Sequence, residues 1–286
     1  METPPLLPLL YEDVVRRALL EDLGRAGDIT TDAIVSPDRT AGAVVVARAA
    51  GRLAGLDPAL HAFRLLDPAC RADVCLRDGS DAAAGAVVAR LEGAARALLG
   101  AERTALNLLG HLSGVATSTR DVVARLRGLE TRVAATRKTT PGLRALEKHA
   151  VRAGGGSSHR YGLDDAVLVK DNHVALAGGI AEAVRRVRGS VGHMVKVEVE
   201  VETLDQLDEA LAAGAEALLL DNMDLPTLRE AVRRARGRAV TEASGGLRPE
   251  NVREVAETGV DLVSLGWLTH SAPALDVALD VVPDRS

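Results

Sequence analysis

The stretch VKVEVEVE, residues 195–202, alternates valines with the charged residues Lys196, Glu198, Glu200 and Glu202. A period of two is that of a β-strand, whose successive side chains point to opposite faces. One face of this strand would therefore carry only valines, and the other only charges. Because buried charges are costly unless they are paired, the charged face should line a polar cavity rather than a sealed core.

The chain around this strand repeats a unit made of one short apolar run and one amphipathic helix. Such units begin at Lys196, Ala217, Ala239 and Leu262, at intervals of about 22 residues. Repeated βα units build a parallel sheet, and a long series of them favours an α/β barrel, closed or nearly closed. An open doubly wound sheet is the alternative.

The residues before this repeat have a different pattern, which predicts a small α+β domain. YEDVVRRALLEDLG at 11–24 has helical spacing of its apolar residues, and GRAGDITTDA at 24–33 is typical of a polar loop. DGSDAAAGAVVARLEG at 78–93 indicates a hairpin with Asp-Gly and Gly turns. Helical periodicity over residues 94–128 predicts a long helix that connects the two domains.

The composition excludes several classes of protein. One Phe, two Tyr and one Trp provide almost no stacking surface for bases, and a net charge of −5 does not attract a phosphate backbone, so no nucleic-acid partner is expected. Cys70 and Cys75 do not form a CxxC pair and are interpreted as reduced thiols. The N-terminus has prolines and acids where a secretory signal needs a basic start, and no run of 18 apolar residues occurs. We therefore expect a cytoplasmic protein without a membrane partner.

Polar residues or glycines follow six successive apolar runs of the repeat. In a parallel barrel the carboxyl ends of the strands share one face, and the active sites of barrel enzymes lie there. We therefore expect the active site at this face. Its candidate residues are Arg137, Lys138, Lys170, Asp171, Asn172, His173, Glu200, Glu202, Asp221, Asn222, Glu242, Ser244, Gly245, Gly246, Ser264 and Gly266.

The cations of this face indicate an anionic substrate. Only four of the 35 basic residues are lysines, so a lysine at a strand end suggests a local demand for a compact charge with three donors. Lys148 lies mid-helix and is expected to be a solvated surface charge. RAGGGSSHR, which precedes the second strand, adds a histidine and an arginine to this face. A substrate with two or more carboxylates, or with phosphates, would fit the resulting set of Arg137, Lys138, His159, Arg160 and Lys170.

Two further groups complete the predicted site. Glu200 and Asp221 end neighbouring strands and could hold a divalent cation or sugar hydroxyls, or stabilise a developing positive charge. The simpler alternative is a pair of salt bridges to Lys196 and Lys170. The turns at 244–246 and 264–266 offer backbone N–H groups that suit a phosphate.

Several segments together resemble the quinolinate phosphoribosyltransferase family, also called the carboxylating nicotinate-nucleotide pyrophosphorylases. The resemblance extends from EDLGRAGDITTDAIV over nearly the whole chain, and the long central motif is its most specific part. The segments that carry it are ERTALNLLGHLSGVAT (102–117), ATRKTTPGLRALEKHAVRAGGGSSHRYGLDDAVLVKDNH (135–173), VEVEVET (197–203), LLLDN (218–222), EASGGL (242–247) and GVDLVSLGWLTHS (259–271).

The resemblance implies an N-terminal α/β sandwich domain over residues 1–110 and an open α/β barrel of six to seven strands over 111–270. A C-terminal helix over 271–286 would return to the N-terminal domain. It also implies a homodimer, or a multiple of dimers, in which Arg103 of one subunit reaches the active site of the other. From the residues alone, Arg103 would be taken as a surface charge.

The family also implies a reaction and roles for the site residues. Phosphoribose would pass from phosphoribosyl diphosphate to quinolinate, with loss of carbon dioxide, to give nicotinate mononucleotide for NAD biosynthesis. Glu200 would face the ribose, and with Asp221 it would bind Mg²⁺ directly, or through water or substrate. Lys196 and Glu198 would pair deeper in the barrel. The carboxylates of quinolinate would be held by Arg137, His159, Arg160 and Lys170. The phosphoribosyl diphosphate would be faced by Lys138, Glu200 and Asp221. Its phosphate would be bound by Ser244, Gly245, Gly246, Ser264 and Gly266.

Three alternatives stay open at this point. A paralogue with the same fold could transfer phosphoribose to another base. A barrel aldolase could use Lys170 to form a Schiff base with a carbonyl substrate. A protein that only binds a phosphorylated ligand would show no turnover.

Overall fold

The structure is a computed structural model that describes residues 4–282. Its strands are β1 (Thr40–Ala47), β2 (Gly51–Arg52), β3 (Arg71–Val74), β4 (Asp81–Ala82), β5 (Val87–Ala94), β6 (Arg132–Ala135), β7 (Ser157–Ser158), β8 (Val167–Val169), β9 (Val197–Val201), β10 (Ala217–Asp221), β11 (Val240–Ser244), β12 (Leu262–Ser264) and β13 (Val277–Val282). Its helices are α1 (Glu12–Leu23), α2 (Ile29–Ile34), α3 (Leu56–Leu66), α4 (Ala95–Arg125), α5 (Arg144–Ala153), α6 (Asp171–Ala177), α7 (Ile180–Ser190), α8 (Leu204–Ala212), α9 (Leu225–Ala235), α10 (Val252–Ala256) and α11 (Trp267–His270). A 3₁₀ turn, Pro8–Leu10, precedes α1.

These elements form two compact units. The predicted boundary near residue 110 differs from the observed division, because most of α4 and all of α5 belong to the first unit. Within the described residues, the first unit comprises 4–120, 139–155 and 268–282, and the second comprises 121–138 and 156–267.

The first unit contains an antiparallel sheet with strand order β13-β1-β5-β3, together with the small antiparallel pair β2-β4. The expected hairpin over 78–93 is therefore wrong, because β4 pairs with β2 whereas β5 pairs with β1 and β3. The expected C-terminal helix is also wrong for the described part of that segment. Val277–Val282 is a strand, and its backbone groups pair with β1, more than 230 residues earlier in the chain.

Two local expectations in the first unit are also corrected. The polar loop at 24–33 contains α2, because the Asp28 side chain caps this helix by accepting hydrogen bonds from the backbone N–H groups of Thr30 and Thr31. Lys148 is fully buried instead of solvated. It lies on α5, most of whose residues are buried, so the usual periodicity of a surface helix does not apply.

The second unit is built on a parallel sheet of seven strands with the order β7-β6-β12-β11-β10-β9-β8. The strands β7 and β8 are its two edges, so the barrel is open. This confirms the predicted open α/β barrel. Val197, Val199 and Val201 of β9 are fully buried, as expected for the face that packs under the helices. The alternating charges consequently point to the other face.

Candidate active site

Four of the predicted cations lie directly beyond the carboxyl ends of the first three strands of the second unit. Arg137 follows β6, His159 and Arg160 follow β7, and Lys170 follows β8. Because all these strands are parallel, the four side chains start from the same edge of the sheet. The sequence-based expectation that they share one face is consistent with this topology.

The guanidinium groups of Arg137 and Arg160 lie close enough to repel each other. Burial, and next the charge of Arg137, lower the pKa of Arg160, whereas Glu198 and Asp165 act in the opposite direction. Arg160 also donates a hydrogen bond from Nη1 to the carbonyl of Ala166 (3.1 Å), which fixes its direction. Two half-buried cations whose charges repel each other favour as their ligand an anion with more than one negative charge.

His159 is bonded on both sides of its ring. Its Nε2 is 2.7 Å from a carboxylate oxygen of Glu198, and its Nδ1 accepts from the backbone N–H of Arg160 at 2.7 Å. A second buried carboxylate, that of Glu242, lies 3.8 Å from Nε2. The expected pairing of Glu198 with Lys196 is thus wrong: Glu198 bonds to His159, and Lys196 is exposed at the start of β9.

Glu198 was not among the candidate residues of the site, and Glu242 was a candidate only because of its position near a strand end, without an assigned role. The available signal for Glu198 was the alternation itself, because it is on the charged face of β9; β11 has no such alternation, since Val240 shares a face with Glu242. What the pattern did not reveal was their partner, since His159 is 39 residues before Glu198.

Lys170 and Glu200 form an ion pair, with Nζ and Oε2 2.6 Å apart. This is one of the two salt bridges considered as the simpler alternative for Glu200. Asp221 is not part of it: in the strand register Glu200 is opposite Leu219, so Asp221 lies two residues nearer the carboxyl end. One oxygen of Asp221 accepts a hydrogen bond from the Asn222 side chain at 2.7 Å.

The turn after β11 is shaped by close contact with the turn after β10. Asn222 has a left-handed backbone, with φ of 53°, and its N–H donates to the carbonyl of Ser244. Gly245 has φ of 95°, and a Cβ there would lie 2.1 Å from Oδ1 of Asn222. Only glycine fits this position. Gly246 also has positive φ, but a Cβ there would meet nothing within 4 Å.

The turn after β12 touches Lys138. A Cβ on Gly266 would lie 2.8 Å from Cδ of Lys138, so the missing side chain leaves room for the lysine stem. Ser264 is buried, and its hydroxyl donates to the carbonyl of Ala243 at 3.5 Å, within the sheet. Gly266 and Lys138 are therefore adjacent, whereas the Ser264 hydroxyl is directed to the backbone of β11.

Arg103 belongs to the first unit, on α4. Its side chain is 63% exposed, and its nearest carboxylate, Glu102, is 4.0 Å away, at the limit of an ion pair. A contact of that length on the surface contributes little to stability. Within its own chain Arg103 is therefore an exposed cation.

Two sets of side chains could be considered for a divalent cation. His159, Glu198 and Glu242 have potential ligand atoms within 4.8 Å of one another. However, Nδ1 of His159 accepts a hydrogen bond, so its proton is on Nε2, and the nitrogen facing the carboxylates has no free lone pair. Glu200 and Asp221 offer carboxylate oxygens at the strand ends, and such ligands suit Mg²⁺. The second set fits this ion better.

Family models match almost the whole chain. The model for the N-terminal domain of quinolinate phosphoribosyl transferase matches residues 28–113, and that for its C-terminal domain matches residues 115–280. This chain belongs to the quinolinate phosphoribosyltransferase family. The family is one of pentosyltransferases, and the predicted resemblance is thereby confirmed.

Individual members of the family are similar over their full length. A probable carboxylating nicotinate-nucleotide pyrophosphorylase of Bacillus subtilis is 44% identical over 273 residues, which cover 96% of this chain and 94% of the relative. The carboxylating nicotinate-nucleotide pyrophosphorylase of Mycobacterium leprae is 45% identical, with 94% and 96% covered. The solved nicotinate-nucleotide pyrophosphorylase of Francisella tularensis superimposes with a TM-score of 0.93 at 37% identity, with 99% of each chain covered.

Among residues 4–282, no helix combines the length and the apolar character that crossing a membrane requires.

Proposed function

We propose that this chain transfers the phosphoribosyl group of phosphoribosyl diphosphate to quinolinate and releases diphosphate and carbon dioxide. The product is nicotinate mononucleotide, a precursor of NAD. The observation that carries the proposal is a set of three cations that follow strands of one parallel sheet: the half-buried Arg137 and Arg160, whose charges repel each other, and Lys170. Quinolinate has two adjacent carboxylates, and this set of cations can neutralise both.

The first step joins two substrates at one carbon atom. The pyridine nitrogen gives its electron pair to the anomeric carbon, and the bond from that carbon to diphosphate breaks, with its electrons leaving on oxygen. Positive charge develops on the ribose as this bond lengthens. The carboxylates of Glu200 and Asp221 stabilise that charge, and they do so more strongly in the transition state than in the ground state.

The second step is the loss of the 2-carboxylate. The bond between the ring carbon and the carboxylate breaks, its electrons stay on the ring carbon beside the cationic nitrogen, and this carbon then takes up a proton. Arg137, Arg160 and Lys170 hold and orient the carboxylates before this happens. His159 was predicted as a further carboxylate ligand, but both of its nitrogens are bonded within the protein, so we assign it an indirect role.

Binding of the sugar phosphate involves the other strand ends. Lys138 faces the diphosphate, and the backbone N–H groups of the turns at 244–246 and 264–266 bind the 5′-phosphate. Mg²⁺, held by Glu200 and Asp221 directly or through water, would neutralise the leaving diphosphate. Lys170 must release Glu200 when quinolinate arrives, which lets the freed carboxylate act on the ribose.

We further propose that the active unit is a homodimer, or a multiple of dimers, and that Arg103 acts in the site of the partner subunit. Its exposed guanidinium supports this role. Mixing two inactive variants tests it: Arg103→Ala and Lys138→Ala carry their defects in different chains of a mixed dimer. We expect part of the activity to return after subunit exchange, because one site then has both native residues. No return of activity in mixed dimers would contradict the role of Arg103.

Two alternatives make different predictions. An aldolase needs the lysine amine as its nucleophile, whereas Nζ of Lys170 is bound to the carboxylate of Glu200 at 2.6 Å, which disfavours Schiff-base chemistry. Borohydride with a carbonyl substrate should therefore trap no adduct. A transferase for nicotinate would need to neutralise only one substrate carboxylate, whereas the set of three cations favours a substrate with two carboxylates.

The experiment that tests the proposal uses the full chain with phosphoribosyl diphosphate, Mg²⁺, and either quinolinate labelled in its 2-carboxylate or nicotinate. We expect labelled carbon dioxide and the mononucleotide from quinolinate only. Product from nicotinate alone would identify a transferase for another base, and no product from either would reject the proposed reaction. Omitting Mg²⁺ in the presence of a chelator should abolish turnover. The cytoplasmic location expected from the sequence stays a prediction, which fractionation of cells would test.

A further inference from the structure

The two edge strands of the second unit, β7 and β8, are not hydrogen-bonded to each other. The chain between them, residues 159–166, is instead ordered by its own side chains. The carboxylate of Asp165 accepts from the backbone N–H groups of Tyr161 (2.7 Å) and Gly162 (3.0 Å). Arg160 donates to the carbonyl of Ala166, directly before β8. These bonds give residues 160–166 a defined path between the two edge strands.

His159 bonds this segment to the sheet, and its backbone N–H donates to the carbonyl of Ala135 on β6 at 3.2 Å. His159, directly after β7, is bonded to Glu198 of β9, which is the neighbour of the other edge strand. The two side chains thus connect the first edge of the sheet with the region of the second edge. Both are largely buried, with 15% and 9% of their side chains exposed. A charge-assisted hydrogen bond shielded from water is stronger than one on the surface.

The hydrogen bonds define the tautomer of His159. Because Nδ1 accepts from the N–H of Arg160, it has no proton, and the proton of the neutral ring is on Nε2, which donates to Glu198. Rotating the ring would break both bonds at once. The position of the Arg160 backbone therefore depends on the position of the imidazole, and that depends on Glu198.

We propose that Glu198 is a positioning residue for quinolinate: through His159 it holds the backbone of Arg160 so that the guanidinium faces the same space as Arg137. The inference rests on the proposed function of this site. It assigns a role to a buried carboxylate that touches neither substrate. It also explains why the charged face of β9 includes Glu198, which lies deeper in the sheet than Glu200. A charge at that depth would not be needed to bind a substrate.

Steady-state kinetics of matched variants test the proposal. Glu198→Ala removes the acceptor for Nε2–H, and we expect the KM for quinolinate to rise about tenfold, the effect of one lost buried hydrogen bond. The KM for phosphoribosyl diphosphate should change much less. Glu198→Gln keeps an acceptor oxygen and should restore most of the affinity. Lys196→Ala, which removes an exposed charge directly before this strand, is the control and should behave like the native protein.

A double-mutant cycle shows whether Glu198 acts through His159. The variant with both Glu198→Ala and His159→Ala should have the same KM for quinolinate as the worse single variant, because both changes break one linkage. If the two effects multiply, the proposed linkage is absent. An unchanged KM with a lower kcat in Glu198→Ala, or no recovery in Glu198→Gln, would equally overturn it.

A measurement without turnover separates this inference from the proposed reaction. In the protein labelled with ¹⁵N-histidine, the ring nitrogens of His159 should show the Nε2–H tautomer in the native chain and in Glu198→Gln, but not in Glu198→Ala. Far-ultraviolet circular dichroism checks that each variant is folded. If the native chain shows the tautomer but does not convert quinolinate, the reaction is wrong and the linkage is intact. A native chain without this tautomer would refute the linkage itself.

Discussion

Lys170 and Glu200 form an ion pair of 2.6 Å at the carboxyl ends of the neighbouring strands β8 and β9. Lys170 is about half exposed, whereas only 13% of the Glu200 side chain is accessible. Each residue thus carries a charge that the substrates can use, and each is balanced by the other before they bind. The pair therefore leaves neither charge uncompensated at this edge of the sheet.

The first prediction concerns this lysine. Replacing Lys170 by alanine should lower kcat/KM for quinolinate by roughly 2 kcal/mol or more in transition-state free energy, because a cation that contacts a carboxylate is lost. Lys196→Ala removes the same charge from the exposed start of β9 and is the matched control. Equal kinetics for Lys170→Ala and the native chain would rule out the role of this lysine.

A second prediction compares two adjacent glycines. Gly246→Ala should destabilise the fold by about 1–2 kcal/mol, the cost of a left-handed backbone for a residue with a Cβ. Gly245→Ala should cost more, because its Cβ also collides with Asn222. The free energy of unfolding from denaturant titration measures both effects. Equal losses in the two variants would show that the contact with Asn222 does not restrict this turn.

The third prediction follows from the neighbouring guanidinium groups of Arg137 and Arg160. Quinolinate should raise the melting temperature, since it neutralises two charges that repel each other in the free protein. At one hundred times its Kd, a ligand stabilises the native state by about 2.7 kcal/mol. Nicotinate at the same concentration should have a smaller effect, because it has one carboxylate. Thermal unfolding monitored by circular dichroism makes the comparison, and Arg160→Met should reduce the difference between the two ligands.

The fourth prediction concerns Asp57 of α3, in the first unit. Burial, and next the charge of Asp78, raise the pKa of Asp57 in the folded chain. The folded state therefore binds this proton more tightly than the unfolded state does, and the contribution to stability falls as the pH rises above the unfolded value of about 3.9. Asp57→Asn removes this pH-dependent loss of stability. The free energy of unfolding of the variant, relative to that of the native chain, should therefore increase between pH 3 and pH 7. A difference that is constant over this range would argue against the raised pKa.

Most of the wrong predictions are in the first unit, and those that concern strand pairing have a common cause. The pairing of β13 with β1 and of β5 with β1 and β3 involves strands distant in the sequence, and no local pattern specifies such partners. Lys148 was expected on the surface because lysine rarely lies inside a protein, yet it is fully buried on α5. In the second unit the predicted strands agree better with the observed ones. The βα units repeat there with nearly the same spacing, and each strand pairs in parallel with another strand of the same sheet.

The sequence by itself determined the fold class and the face of the sheet where the chemistry is expected. The alternation in VKVEVEVE separates a buried valine face from a charged one, and the polar residues after successive apolar runs mark one end of a parallel sheet. Only the tertiary structure decided which charges meet. Glu198 bonds to His159 across 39 residues, and Glu200 bonds to Lys170 across 30. Periodicity reports the direction of a side chain relative to its own backbone, whereas the partner of a charge depends on the register and curvature of a whole sheet.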